Sequence, residues 1–276
     1  MEKIKDALAK AKNDVNKQLV KPQSSQIKHS VKVLKTIEDS SLEIISYNKT
    51  NSVNLDASHL ENYRIVAHNK HDPTGWVFDS LRTQVLQKME ENNWRTLAVL
   101  SPTPESGKTV VAINLAISIA KQTKKTAMLV DFDLRKPRVA QYLGINREKS
   151  INNFLTGDAG LDEIIVNPGI PRLTIVPTNK PVNRSSETLS SNIVQNLVIE
   201  LKERYDSRIV IFDLPPILNA DDAMVMLPQV DCVLLVVADG QHNEAEIDKT
   251  MQLLTKSNIL GVVVNKADAE PNSYYY

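Results

Sequence analysis

Residues 99–116 read VLSPTPESGKTVVAINLA. A short apolar run ends in a turn, and Gly107-Lys108-Thr109 then opens a stretch with helical apolar spacing. Phosphate binding asks for this order: backbone N–H groups converging at the N-terminus of a helix, a lysine for the phosphate charge, and a hydroxyl to ligate magnesium. Pro104, Glu105 and Ser106 fill the turn, Gly107 permits close approach, Lys108 brings the charge, Thr109 the hydroxyl, and Val110 continues the helix. Pro102 stands where the usual pattern has its first glycine. The tripeptide alone is weak evidence; its place between a strand and a helix strengthens it.

Outward from that loop, β-branched runs alternate with helix-length segments. TLAVLS, TAMLVDFD, LTIVP, RIVIFD, CVLLVVAD and ILGVVVN read as strands, with helices over 108–122, 187–204 and 244–256 among those between them. Near-continuous apolar strands joined by crossover helices predict an α/β fold with a mostly parallel, doubly wound sheet covered on both faces, and the Gly-Lys-Thr loop would make it one of P-loop type. Such sheets bind ligands at the carboxyl ends of their strands. Residues 61–265 form the predicted domain. Ahead of it, Ile4, Leu8, Ala11, Val15 and Leu19 mark an amphipathic helix, followed by a Ser-, Asn- and Lys-rich linker to about residue 60. Residues 266–276 form a tail.

Composition excludes several classes. Lys plus Arg and Asp plus Glu both total 33, so no net field points to nucleic acid or an acidic membrane. The single cysteine, Cys232, lies in an apolar run and reads as a buried residue, without a disulfide framework. Apolar runs fall short of the roughly 18 residues of a membrane span, and the N-terminus has no signal-peptide pattern, which predicts a cytoplasmic protein. His68 and His71 lie in a loop with no other ligands nearby in sequence, which argues against a histidine metal site.

The polar residues fall at strand ends. Asp131 and Asp133 close one strand two residues apart, so both carboxylates leave on the same side. Asp213 closes another ahead of Pro215 and Pro216. Three carboxylates beside a Gly-Lys-Thr loop are the equipment of magnesium-assisted phosphoryl transfer. At the far end, the chain closes with Tyr274, Tyr275 and Tyr276, three of its seven tyrosines.

SPTPESGKT, MLVDFDLR and IVIFDLPP resemble the Walker A, A′ and B motifs of bacterial tyrosine kinases, the BY-kinases of capsule and exopolysaccharide synthesis, which are related to Par/Min-type ATPases. Arg135 completes the distinctive Asp-x-Asp-x-Arg of the A′ motif, and NLA at Asn114–Ala116, Ser186–Leu189 and GVVVN ending at Asn265 match as well. The resemblance covers residues 62–276.

It implies ATP and Mg²⁺ as cofactors, and a protein-tyrosine autokinase that regulates exopolysaccharide or capsule synthesis and export. Lys108 and the loop amides would hold the β and γ phosphates. Thr109, with Asp133 or Asp213, would hold the metal, and Asp131 would orient or deprotonate the incoming tyrosine. Arg135 would contact phosphate or pair with an acid, and Asn265 would lie near the adenine. NKAD at 265–268 also matches a guanine-reading pattern, leaving GTP as the lesser alternative. Tyr274, Tyr275 and Tyr276 would be phosphorylated in trans by another copy. The family further implies a transmembrane chain-length determinant as activator, recruitment to the inner face of the cell membrane, and an opposing tyrosine phosphatase.

Two departures stand out. Glu105 replaces the glycine of many members, bringing an acid to the phosphates. Ring-forming members carry Glu-x-x-Arg-x-x-Arg; here Trp76 and Asp79 take the first two places and only Arg82 remains, predicting an assembly that uses another surface, is weaker or needs a partner. The alternatives are a Par/Min-type ATPase switch without kinase activity, and a non-catalytic scaffold.

Overall fold

Eight strands form one sheet in the computed structural model, which describes residues 51–69, 71–122 and 125–267. In chain order they are β1 (Asn51–Ser52), β2 (Thr96–Leu100), β3 (Thr126–Asp131), β4 (Val166–Asn167), β5 (Leu173–Val176), β6 (Arg208–Asp213), β7 (Cys232–Ala238) and β8 (Ile259–Asn265). The spatial order is β1-β4-β5-β3-β6-β2-β7-β8, and every pair is parallel except β4 with β5. Every residue of β2 is buried, and so are all but the first of β3 and β6. Strands buried on both faces have no polar side to show, hence the unbroken apolar runs.

The helices are α1 (Ala57–Asn62), α2 (Gly75–Glu91), α3 (Lys108–Gln122), α4 (Val139–Leu143), α5 (Ile151–Thr156), α6 (Leu161–Ile164), α7 (Ser185–Leu189), α8 (Asn192–Glu203), α9 (Asp222–Met226) and α10 (Glu244–Leu253). Two apolar clusters sandwich the sheet. One gathers α2 and α3 through Val85, Met89, Ile113 and Ile117 against Leu97, Leu129 and Ile211; the other gathers α8 and α9 through Leu197, Leu201 and Met226 against Met128, Phe212 and Leu235.

The helix expected over 187–204 is two. Ser191 breaks it: its extended backbone and its hydroxyl, which accepts from the Val194 N–H, start a new helix. The stretch to residue 60 is not all linker, since β1 pairs with β4 and Leu60 of α1 is buried. The N-terminal helix and the tyrosine tail lie outside the described residues.

Topology brings the motifs together. β6 lies between β2 and β3, and the register sets Asp213 opposite Asp131 on one side and Val99 on the other. The carboxylates therefore meet the loop that leaves β2. No helix among the described residues is long and apolar enough to cross a membrane.

Candidate active site

Ser101–Gly107 joins β2 to the first turn of α3. Glu105 has φ 65° and Gly107 φ 85°, so two of three consecutive residues are left-handed, one of them not glycine. A β-carbon on Gly107 would stand 2.2 Å from Asn265 Nδ2, which itself donates to the Ser106 carbonyl at 2.8 Å. Close approach of β8, as well as backbone conformation, demands glycine there. Glu105 is exposed. Ser106 is buried and half-buried Val110 continues α3, while Pro104 is exposed and leaves its carbonyl to a neighbouring loop.

Lys108 and Thr109, both buried, meet the carboxylates. Lys108 Nζ donates to Asp133 Oδ2 at 2.8 Å and to Asp213 Oδ1 at 3.2 Å, and the Thr109 hydroxyl donates to Asp213 Oδ2 at 2.6 Å. Burial alone would push the Lys108 ammonium down, but Asp213 and Asp133 together hold it well above its ordinary range. Burial pushes the Asp213 carboxyl up, with Lys108 opposing.

Asp131 is fully buried, and its two oxygens differ. Oδ2 accepts the N–H groups of Arg138 and Val139, both at 3.0 Å, at the start of α4; Oδ1 has no partner. Burial, then the charge of Asp213, raises its pKa well above the ordinary carboxylate value against the Val139 N–H and Lys108. Asp133 Oδ1 accepts the Lys136 N–H at 3.0 Å.

Arg135 points elsewhere. It pairs with buried Asp222 at 2.7 Å and with Asp221 at 3.3 Å, the acid pairing expected as one of its two roles. Asn114 is wholly buried and takes up four backbone groups: its Oδ1 accepts from Val66 and Ala67, and its Nδ2 donates to the carbonyls of Arg64 and Val110. Arg82 turns inward to Asp79 at 2.8 Å and Ser118 at 3.2 Å, leaving Trp76 68% exposed on the same helix.

Gln241 and His242, in the turn after β7, also touch the loop. No spacing rule pointed to them. The only cue was their position after a parallel strand, at the end of the sheet where ligands bind.

Residues 95–258 match the AAA domain family AAA_31. The chain is 30% identical over 216 residues to the putative tyrosine-protein kinase EpsB of Ralstonia nicotianae, covering 78% of this chain and 28% of that protein. It therefore spans under a third of EpsB. Identity is also 30%, over 203 residues, to the tyrosine-protein kinase CpsD of Streptococcus pneumoniae serotype 4, covering 71% of this chain and 86% of CpsD. Among solved structures, the kinase domain of Escherichia coli tyrosine kinase ETK superposes with TM-score 0.67 at 26% identity, covering 82% of this chain and 94% of that one.

Proposed function

This chain belongs to the AAA_31 family and, within it, to the bacterial tyrosine-protein kinases, and from that premise we propose that it transfers the γ-phosphate of ATP to the terminal tyrosines of another copy of itself. The observation that carries the reading is the Lys108 ammonium lying 2.8 Å from Asp133 and 3.2 Å from Asp213, with the Thr109 hydroxyl on the same carboxylate, at the mouth of a left-handed loop.

The donor set fits a magnesium ion. Thr109, Asp213 and Asp133 offer hard oxygen atoms, and no group of three or more His, Cys, Asp or Glu side chains among the described residues forms a closed metal cage. That suits an ion held by one or two carboxylates together with substrate phosphates. Bound there, Mg²⁺ would neutralise charge on the phosphate oxygens.

The chain's own groups then divide the work. Lys108, on a flexible stem, moves from its carboxylates to the phosphates, and the amides of the loop and of the first turn of α3 bind phosphate oxygens. Asp131 Oδ1 takes the proton of the tyrosine hydroxyl. The phenolic oxygen bonds to the γ-phosphorus as the bond to the departing ADP oxygen breaks, leaving phosphotyrosine and ADP.

In the cell, this reading places the chain at the inner face of the membrane. A transmembrane chain-length determinant recruits and activates it, a tyrosine phosphatase opposes it, and phosphorylation of Tyr274, Tyr275 and Tyr276 regulates capsule or exopolysaccharide synthesis. Transfer in trans is tested by mixing the K108A chain with a chain whose three terminal tyrosines are phenylalanine, in Mg²⁺ and ATP with the activator's cytoplasmic segment supplied. Phosphotyrosine on the K108A copy is expected; its absence, with each chain folded, would overturn the reading.

A further inference from the structure

The turn Asp239–Asn243, between β7 and α10, packs against the nucleotide loop and takes no part in the chemistry described above. Gln241 Nε2 donates to the Pro104 carbonyl at 2.8 Å, and Gln241 Oε1 receives Lys266 Nζ at 3.4 Å. His242 Nε2 lies 2.9 Å from Thr103 Oγ1 and 3.2 Å from Ser106 Oγ, while its Nδ1 lies 3.2 Å from both the N and the O of Ala238.

The ring bridges strand end and loop in either tautomer: with the proton on Nε2 it donates to the loop hydroxyls and Nδ1 accepts the Ala238 N–H, and with the proton on Nδ1 it donates to the Ala238 carbonyl while Nε2 accepts from a hydroxyl. The Ala238 carbonyl also accepts the Gln241 N–H at 3.3 Å. The imidazole thereby ties the end of a buried strand to two hydroxyls of the loop.

The loop needs such ties. A non-glycine residue in the left-handed region costs about 1–3 kcal/mol and persists only when its surroundings hold it, and Glu105 is in that state. Around it, the Pro104 carbonyl is held by Gln241 and the Ser106 carbonyl by Asn265. In a trans peptide the N–H points opposite to the C=O, and there is no cis bond among the described residues. Holding the Pro104 and Ser106 carbonyls therefore also fixes the directions of the Glu105 and Gly107 N–H groups, each opposite to its own carbonyl, and backbone N–H groups held in this way are what a phosphate loop offers to its ligand.

We propose that Gln241 and His242 are positioning residues of the nucleotide loop, holding its strained backbone in the shape that presents amide N–H groups to phosphate. The proposal rests on the nucleotide-binding part of the reading above and adds residues outside its motifs. The brace matters because Glu105 strains the loop.

The test is an equilibrium titration with a fluorescent ATP analogue and Mg²⁺, beside steady-state phosphoryl transfer and thermal unfolding. His242→Leu keeps the bulk of the ring without its nitrogens, and His242→Gln returns a donor to the place of Nε2. Losing one or two such hydrogen bonds should weaken nucleotide binding about tenfold. KM for ATP should rise in parallel, kcat should change less, and His242→Gln should recover most of the loss. In a Glu105→Gly background, where the strain is gone, His242→Leu should cost markedly less than it does alone.

Equal nucleotide affinity for His242→Leu and wild type would overturn the proposal and leave the kinase reading intact. So would a fall in unfolding temperature with KM unchanged, the mark of a purely structural contact, or a cost that is the same with Glu105 and with glycine. Absence of nucleotide binding by the wild-type chain would overturn the kinase reading, and this proposal with it.

Discussion

Asn265 fills the space that a side chain on Gly107 would need: its amide nitrogen lies 2.2 Å from the position of the missing β-carbon. The same amide holds the Ser106 carbonyl, so the last residue of β8 shapes a loop 159 positions earlier in the chain. Gly107→Ala must displace Asn265 and also adopt φ 85°. A loss of about 1–3 kcal/mol in stability is expected from the strained backbone, with a fall in nucleotide affinity of about tenfold or more. Denaturant unfolding and a nucleotide titration check both; unchanged affinity would show that the contact does not shape the site.

Asp131→Asn should stabilise the protein at neutral pH while removing phosphoryl transfer. The folded-state pKa of Asp131 is raised from 3.8 by burial and by Asp213. Its favourable contribution is therefore complete below the ordinary carboxylate range and is lost as pH rises through the raised folded value. Replacing the charge with an amide should gain about 1 kcal/mol at pH 8, a gain that fades toward pH 3. Transfer should fall about 10²-fold or more if Asp131 accepts the tyrosine proton. Unfolding curves across that pH range decide the first point: a variant less stable at pH 8 would contradict the sign.

Glu105→Gly removes a left-handed glutamate and an acid from the phosphate loop. Relief of about 1 kcal/mol in stability is expected, together with several-fold tighter ATP binding. Calorimetry on the two chains reads both quantities. Weaker binding by the glycine variant would mean that the carboxylate assists the site.

Asn114→Ala removes the side-chain partner of four part-buried backbone groups at once, the N–H groups of Val66 and Ala67 and the carbonyls of Arg64 and Val110. A destabilisation of about 2–4 kcal/mol is expected. Because the same side chain ties residues 64–67 to the helix that begins at Lys108, hydrogen exchange should quicken in both segments; exchange confined to one would contradict the link.

Much of this architecture was readable in the sequence, for physical reasons. β2, β3, β6 and β7 are buried on both faces and so appear as unbroken apolar runs, and α3 runs over Lys108–Gln122 as its spacing predicts. β1 and β4 were not readable, because two residues carry no periodicity. Asp131 and Asp213 were legible as strand-end acids, while Asp133, expected to close the same strand as Asp131, lies two residues past the end of β3. That Asp213 would sit in register between Asp131 and the strand feeding the loop was not legible, since strand order is not written in local pattern. The motif left Arg135 either a phosphate contact or an acid's partner, and the identity of that acid, Asp222, 87 residues on, was not in the local pattern. Gln241 and His242 left no trace in spacing, because a side chain that braces a loop from a distant turn needs no sequence rule.

The most direct measurement is a map of phosphate on the chain after incubation with Mg²⁺ and ATP, by intact mass and peptide analysis, beside a K108A control and with the activator's cytoplasmic segment present. Phosphate on Tyr274, Tyr275 or Tyr276 that disappears with K108A is the predicted result. A chain that binds ATP yet carries no phosphotyrosine under those conditions would contradict the kinase and leave an ATPase built on the same motifs.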